Sequence, residues 1–200
     1  MNDAAALDYF ASHGWTLTTA EAIDAGIFKK DLYRLRESGK IIEMSRGVFR
    51  SADAPAVEYV DWVSVTKRAP RSVVCLSSAL AFWDLTDEIH RQTHIAVPRG
   101  SHRPSIDWPP TRVHLFASAT FDLGIETVEL SSGERIRIYS RERTLADVMR
   151  LGKRAATEDE AILVRTYLRQ PGSSATDLLD MARRLRRGSS METLLRVLLA

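Results

Sequence analysis

The 200-residue sequence predicts an α+β chain: a small N-terminal domain of short helices closed by a β-hairpin, followed by a mixed α/β domain that ends in helices. Three observations carry this reading. Helix start and stop signals crowd into residues 18–50, strand-like apolar runs occupy the region from 94 to 140, and helical apolar periodicity fills the remainder. The division is expected after residue 53, giving domains 1–53 and 54–200, the second with strands to about 140 and helices over 141–200.

A first helix over about Asp3 to Ser12 turns Leu7 and Phe10 inward. Thr18 and Glu21 have the spacing of a capping box, so a second helix starts at Thr19. Ala22 is small enough for a neighbouring helix to pack closely, and Gly26 supplies the left-handed conformation of a tight turn. Leu32 and Leu35 follow six and nine residues later. Small residue, glycine, apolar, apolar at these offsets is the spacing of a helix-turn-helix. The next helix, roughly Phe28 to Ser38, gathers Phe28, Leu32 and Leu35 within about 60° at 100° per residue. Lys29, Lys30, Tyr33, Arg34 and Glu37 fall opposite. After Gly39, Ile41 to Met44 and Val48 to Arg50 read as strands joined through Ser45-Arg46-Gly47, a wing with Arg46 at its tip.

Positions 28–50 hold seven Lys/Arg against three Asp/Glu, while positions 1–60 hold seven against nine. Positive charge is therefore concentrated on the second helix and the wing, where a winged helix-turn-helix meets DNA. In this geometry Lys29, Lys30, Tyr33 and Arg34 face the major groove, Arg36 and Lys40 flank it, and Arg46 reaches phosphate or the minor groove. The same face also suits simple solvation of a small helical domain. A net charge of +2 excludes a general polyanion binder, so affinity for double-stranded DNA must come from a local surface or from dimerisation, and geometry leads us to expect a dimer on two half-sites.

In the second domain Pro55 suits the first turn of a helix carrying Val57, Val60 and Val63, which stops at Ala69-Pro70. Another apolar helix is predicted over about Leu76 to Trp83. His94 to Val97 and Arg112 to Phe116 read as strands separated by a Pro-rich basic loop. A hairpin follows; with a three-residue turn at Ser131-Ser132-Gly133, Val128 faces Ile136 and Glu129 faces Arg135. Ser140 caps a helix to about Arg150, and Thr157 with Glu160 forms a second capping box. The next helix lines up Leu178, Met181, Ala182 and Leu185, leaving Arg183, Arg184, Arg186 and Arg187 on its exposed flanks as a candidate partner-binding surface.

Several chemistries are excluded. The ten glycines are never closer than eight positions, which rules out a P-loop, a dinucleotide-binding loop and a G-x-S-x-G elbow. His90 and His94 have i, i+4 spacing, but a third zinc ligand is not recognisable, and no E-x-K or Q-x-K nuclease triplet occurs. Cys75 is the single cysteine, read as a buried inert thiol. No uncharged stretch exceeds twelve residues, against the roughly 20 of a membrane span, and the N-terminus lacks a basic flank for secretion. The expectation is a cytoplasmic, non-enzymatic protein with no cofactor and no metal.

Cys75 to Phe82, Leu85-Thr86-Asp87-Glu88-Ile89, Ile95 to Gly100 and Arg143-Thr144-Leu145-Ala146-Asp147, in this order behind a winged helix, resemble the AbiEi family of bacterial antitoxins over roughly residues 5–155. Trp83-Asp84 departs from the His-Gly of many relatives. The resemblance implies a type IV antitoxin that represses its own operon at promoter inverted repeats. It also implies a C-terminal domain that counteracts, directly or indirectly, a toxin resembling a nucleotidyltransferase. Two alternatives stay open on the residues alone: a stand-alone regulator with a ligand-sensing or dimerisation domain, and a nuclease whose acids, such as Asp84, Asp87 and Glu88, cluster in space.

Overall fold

A computed structural model describes residues 2–88, 91–152 and 159–200. It is α+β, with a winged-helix arrangement at the N-terminus and helices at the C-terminal end. The chain separates into two compact units. The first comprises residues 1–72, 104–111 and 127–136, and the second comprises 73–103, 112–126 and 137–200.

The first unit contains α1 (Asp3–Ser12), β1 (Thr16–Thr18), α2 (Thr19–Asp24), α3 (Lys29–Glu37), β2 (Ile41–Ser45), β3 (Val48–Ser51) and α4 (Val60–Arg68). Asn2 caps α1 by accepting from the Ala5 amide at 2.8 Å. The predicted capping box forms: Thr18 Oγ1 accepts from the Glu21 amide at 3.2 Å, and Glu21 Oε2 accepts from the Thr18 amide at 2.6 Å. Gly26 has φ +82°, as the turn between α2 and α3 requires. Ala6, Phe10, Leu17, Ala22, Ile27, Leu32, Leu35, Ile41 and Phe49 make the core. Full burial contributes about 1.5–3 kcal/mol for each large aliphatic or aromatic member. Leu7, expected inward with Phe10, is only half-buried and packs at the margin of this cluster.

Four local expectations are corrected. Phe28 is 55% exposed rather than packed with Leu32 and Leu35, because it is the extended N-cap of α3, where the 100° helical rotation does not apply; Ile27 fills the core instead. The wing turn is shorter than predicted, since Ser45 pairs with Val48 across a bulge and leaves Arg46-Gly47 at the tip, with Gly47 at φ +74°. β1 was not anticipated and pairs antiparallel with β3, giving the order β1-β3-β2. Finally, α4 begins at Val60 and not at Pro55: Tyr59 is left-handed at φ 60°, which no right-handed helix can contain, and the Pro55 carbonyl accepts from Arg50 Nη2 at 3.1 Å. Trp62, Val63 and Val65 of α4 are buried, and the helix packs on the three-stranded sheet.

The chain continues with β4 (Val73–Val74), α5 (Leu76–Phe82), β5 (Thr93–Pro98), β6 (Thr111–Phe116), α6 (Ser118–Phe121), β7 (Ile125–Glu129) and β8 (Arg135–Tyr139), which belong to the second unit except for residues 111, 127–129 and 135–136, counted with the first. Four helices follow: α7 (Arg141–Leu151), α8 (Glu160–Arg169), α9 (Ala175–Arg184) and α10 (Gly188–Leu198). The sheet order is β6-β5-β4-β8-β7, with β4 antiparallel to β5 and parallel to β8. The β7–β8 hairpin has the predicted three-residue turn: the Leu130 amide donates to the Glu134 carbonyl at 2.8 Å, Gly133 is at φ +81°, and Glu129 pairs with Arg135 at 3.0 Å. Ser140 caps α7 through the Arg143 amide. Asp159 caps α8 through the Ala161 amide at 2.7 Å; Thr157, proposed for that role from sequence, lies outside the described residues.

The 143–147 segment acquires a physical role here. Arg143 and Asp147 are one helical turn apart on α7, both essentially excluded from solvent, and pair at 2.8 Å. Arg143 also donates to the carbonyls of Thr120 and Leu123 at 2.6 Å each, and Arg150 meets the other Asp147 oxygen at 2.9 Å. Gly124 stays bare to admit this side chain, since a Cβ there would lie 2.8 Å from that of Arg143. α9 aligns Leu178, Ala182 and Leu185 in the core with Met181 half-buried beside them. It ends at Arg184, however, so Arg186 and Arg187 are not on its flanks but in the connection to α10.

Candidate nucleic-acid interface

The first unit presents α3 with its Leu32 and Leu35 side fixed in the core and its other sides to solvent. Lys29, Lys30, Tyr33, Arg34, Arg36, Lys40 and Arg46 are all exposed. Tyr33 is 48% exposed, with the Arg36 guanidinium 5.0 Å from the centre of its ring. The N-terminal end of the helix carries Lys29 and Lys30 beside the exposed Phe28 ring. Asp31, one turn in, points back and accepts from the Phe28 amide at 3.3 Å, which fixes the helix start.

The six charged residues among these candidates are electrostatically of two kinds. Arg34 is held between Asp3 Oδ1 at 2.6 Å and Asp31 Oδ1 at 2.9 Å, and Lys40 meets the other Asp3 oxygen at 2.9 Å. The hydrogen bond from Lys40, then that from Arg34, holds the Asp3 carboxyl below its ordinary value; the Asp3 carboxylate in turn raises the Arg34 pKa. Arg36 is tied to Glu43 of the wing at 2.6 Å, and the second Glu43 oxygen accepts from the Gly47 amide at 3.0 Å. Lys29, Lys30 and Arg46 form no ion pair among the described residues. Three of the seven candidates thus already serve the scaffold, tying α1, α3 and β2 together, while Lys29, Lys30 and Arg46 stay exposed.

Sequence spacing missed the carboxylates that make this division. Asp3 is 31 positions from Arg34 and 37 from Lys40, beyond the reach of any local pattern. It also missed the buried Arg50, which donates to Glu134 at 2.6 Å and to Thr16 Oγ1 at 2.8 Å. Arg50 counted toward the local positive excess in sequence, but it is only 6% exposed and adds nothing to an outer surface. Ser45 donates from Oγ to the Trp108 carbonyl at 2.6 Å, a second tie from the wing within this unit.

No group of three His, Cys, Asp or Glu among the described residues could hold a metal. His94 Nδ1 is 3.0 Å from Ser77 Oγ, and its amide donates to Ser78 Oγ, which anchors β5 to the start of α5; His90 lies outside the described residues. The Cys75 thiol is fully buried and pushed up by that burial, so the nucleophilic thiolate is suppressed. No helix among the described residues is long and apolar enough to cross a membrane.

No curated protein matches the chain. The segment that builds α1, α2, α3 and the wing, residues 5–52, matches the model of a family described as a transcriptional regulator, the AbiEi antitoxin.

Proposed function

We propose that the protein is a DNA-binding antitoxin that represses its own operon and counteracts a nucleotidyltransferase-like toxin. The exposed, ion-pair-free positive charges of Lys29, Lys30 and Arg46, on a helix and a wing within the segment of family similarity, carry this reading. In this proposal Lys29, Lys30 and Tyr33 enter the major groove and Phe28 offers an apolar edge suited to a thymine methyl. Arg46 reaches phosphate or the minor groove, while Arg34, Arg36 and Lys40 contribute after exchanging carboxylate partners for phosphate. The small number of free charges favours two copies on an inverted repeat over one. Residues 1–53 are assigned to DNA and 54–200 to the antitoxin role.

The test is a footprint of the purified protein on the DNA upstream of its gene, comparing wild type with a Lys29→Ala/Lys30→Ala variant. Two protected half-sites that vanish in the variant are expected, and each lysine lost from phosphate should reduce the salt slope of binding by about 1. Protection unchanged in the variant would remove α3 from the interface. Co-expression with the adjacent toxin gene then tests neutralisation, and failure to rescue growth would leave a transcriptional regulator without antitoxin activity.

A further inference from the structure

Within the second unit, two cavities flank the α9–α10 connection, and Arg186 lines both. One, about 350 Å³, is lined by Arg183, Arg187 and the first turn of α10 as well. The other, about 340 Å³, has Ala117, Ala119 and Leu185 among its walls, with Arg150 and Arg184 beside them. We infer that these paired cavities form a nucleotide-binding site, with the phosphates among the arginines of the first and the base in the second.

The first cavity has the chemistry of a phosphate site. α10 starts without a side-chain cap, so the amides of its first turn lack intrahelical acceptors, and Gly188, Ser189 and Ser190 of that turn line the same cavity as the arginines. Arg183 and Arg184 complement the C-terminal dipole of α9, but Arg186 and Arg187 lie beyond that helix and have no such role. Arg184, Arg186 and Arg187 form no ion pair among the described residues. Glu192 also lines this cavity and is drawn toward Arg196 at 3.5 Å, while Arg183 shares a 3.2 Å contact with Asp180. Positive charge therefore exceeds negative at the cavity wall.

The second cavity differs in kind. Small apolar side chains leave room for a flat group, and arginine planes stack on bases. Arg150 is already fixed for that purpose, held by Asp147 through Nε at 3.1 Å and Nη2 at 2.9 Å and lying 4.9 Å from the Phe116 ring centre. Each volume lies within the range of small-ligand sites. A charged cavity and a more apolar one that share an arginine wall fit a phosphorylated nucleoside better than phosphate alone.

Calorimetric titration of the full chain with ATP, GTP and inorganic pyrophosphate tests this, with an unrelated short DNA duplex as a further arm. The wild type should bind a nucleoside triphosphate at least tenfold more tightly than pyrophosphate. Arg186→Gln/Arg187→Gln should weaken both at least tenfold, whereas Ala119→Trp, at an exposed position, should weaken the nucleotide alone; circular dichroism verifies that both variants fold. Equal affinity for nucleotide and pyrophosphate, nucleotide binding unaffected by the arginine variant, or duplex binding there without nucleotide binding would each overturn the site. None of these outcomes depends on operator binding by α3, so a failed footprint leaves the inference standing and a failed titration leaves the DNA reading standing.

Discussion

Arg34 in the first unit and Arg143 in the second each hold a carboxylate within 3 Å, yet their surroundings are opposite. Arg143 and Asp147 are each 1% exposed, and the guanidinium also serves two backbone carbonyls. Arg34 is 50% exposed, with Asp3 at 30%. A buried pair cannot exchange partners without leaving a naked charge in low dielectric. An exposed pair is screened by water and can trade a carboxylate for a phosphate with little loss. The contrast separates a rigid pin of the second unit from an exposed, water-screened pair between α1 and α3 of the first.

The largest effect should come from breaking the pin. Asp147→Ala strands Arg143 in the core and is expected to cost about 3–5 kcal/mol. A loss of unfolding free energy of less than a tenth of that size in denaturant titrations would mean that the pair is hydrated in solution. Gly124→Ala attacks the same feature from the backbone, because the new methyl meets Arg143 at a residue with φ +70°. Roughly 1–3 kcal/mol of destabilisation is expected. In the first unit Thr18→Ala removes one half of the capping box, and a loss of about 1 kcal/mol should appear in thermal or denaturant unfolding.

Acid should also affect the two units differently. In the first, burial pushes the Glu21 carboxyl up, but the Lys67 ammonium at 2.7 Å and the Thr18 amide outweigh it, so it sits below its ordinary 4.5. Because the folded value is depressed, the contribution of Glu21 is complete above about pH 4.5 and is lost as pH falls through the folded value. In the second unit burial, then Arg112 and Arg103, lowers His114 from 6.5 to about 4, and its Nε2 is buried without a hydrogen-bond partner among the described residues. The unfolded chain therefore binds the extra proton between these values, and stability rises from pH 4 to 6.5. His114→Phe should flatten that slope in denaturation curves collected across the range; an unchanged slope would assign it to other groups.

The smallest effect is on the exposed side. Asp3→Asn should leave folding close to wild type while freeing Lys40 and leaving Arg34 with Asp31 alone, which raises operator affinity and steepens its salt dependence. Weaker binding would show that Asp3 positions Arg34 for DNA rather than competing for it.

Local patterns in the sequence determined much of this protein. The Thr18–Glu21 box, Gly26, the Leu32 and Leu35 spacing, the Ser140 cap and the Ser131-Ser132-Gly133 hairpin all depend on atoms a few residues apart, so their spacing already encodes their geometry. Even the 143–147 pair occupies one turn of helix, although sequence could not show that it is buried. What tertiary structure decided is which charges are free. Asp3 reaches Arg34 and Lys40, Arg50 turns inward to Glu134, and Phe28 leaves the core because its backbone caps rather than continues the helix. The α9–α10 cavities likewise draw residues 117–120, 150 and 183–192 together. Burial and pairing of this kind arise from contacts across tens of residues, and no local period records them.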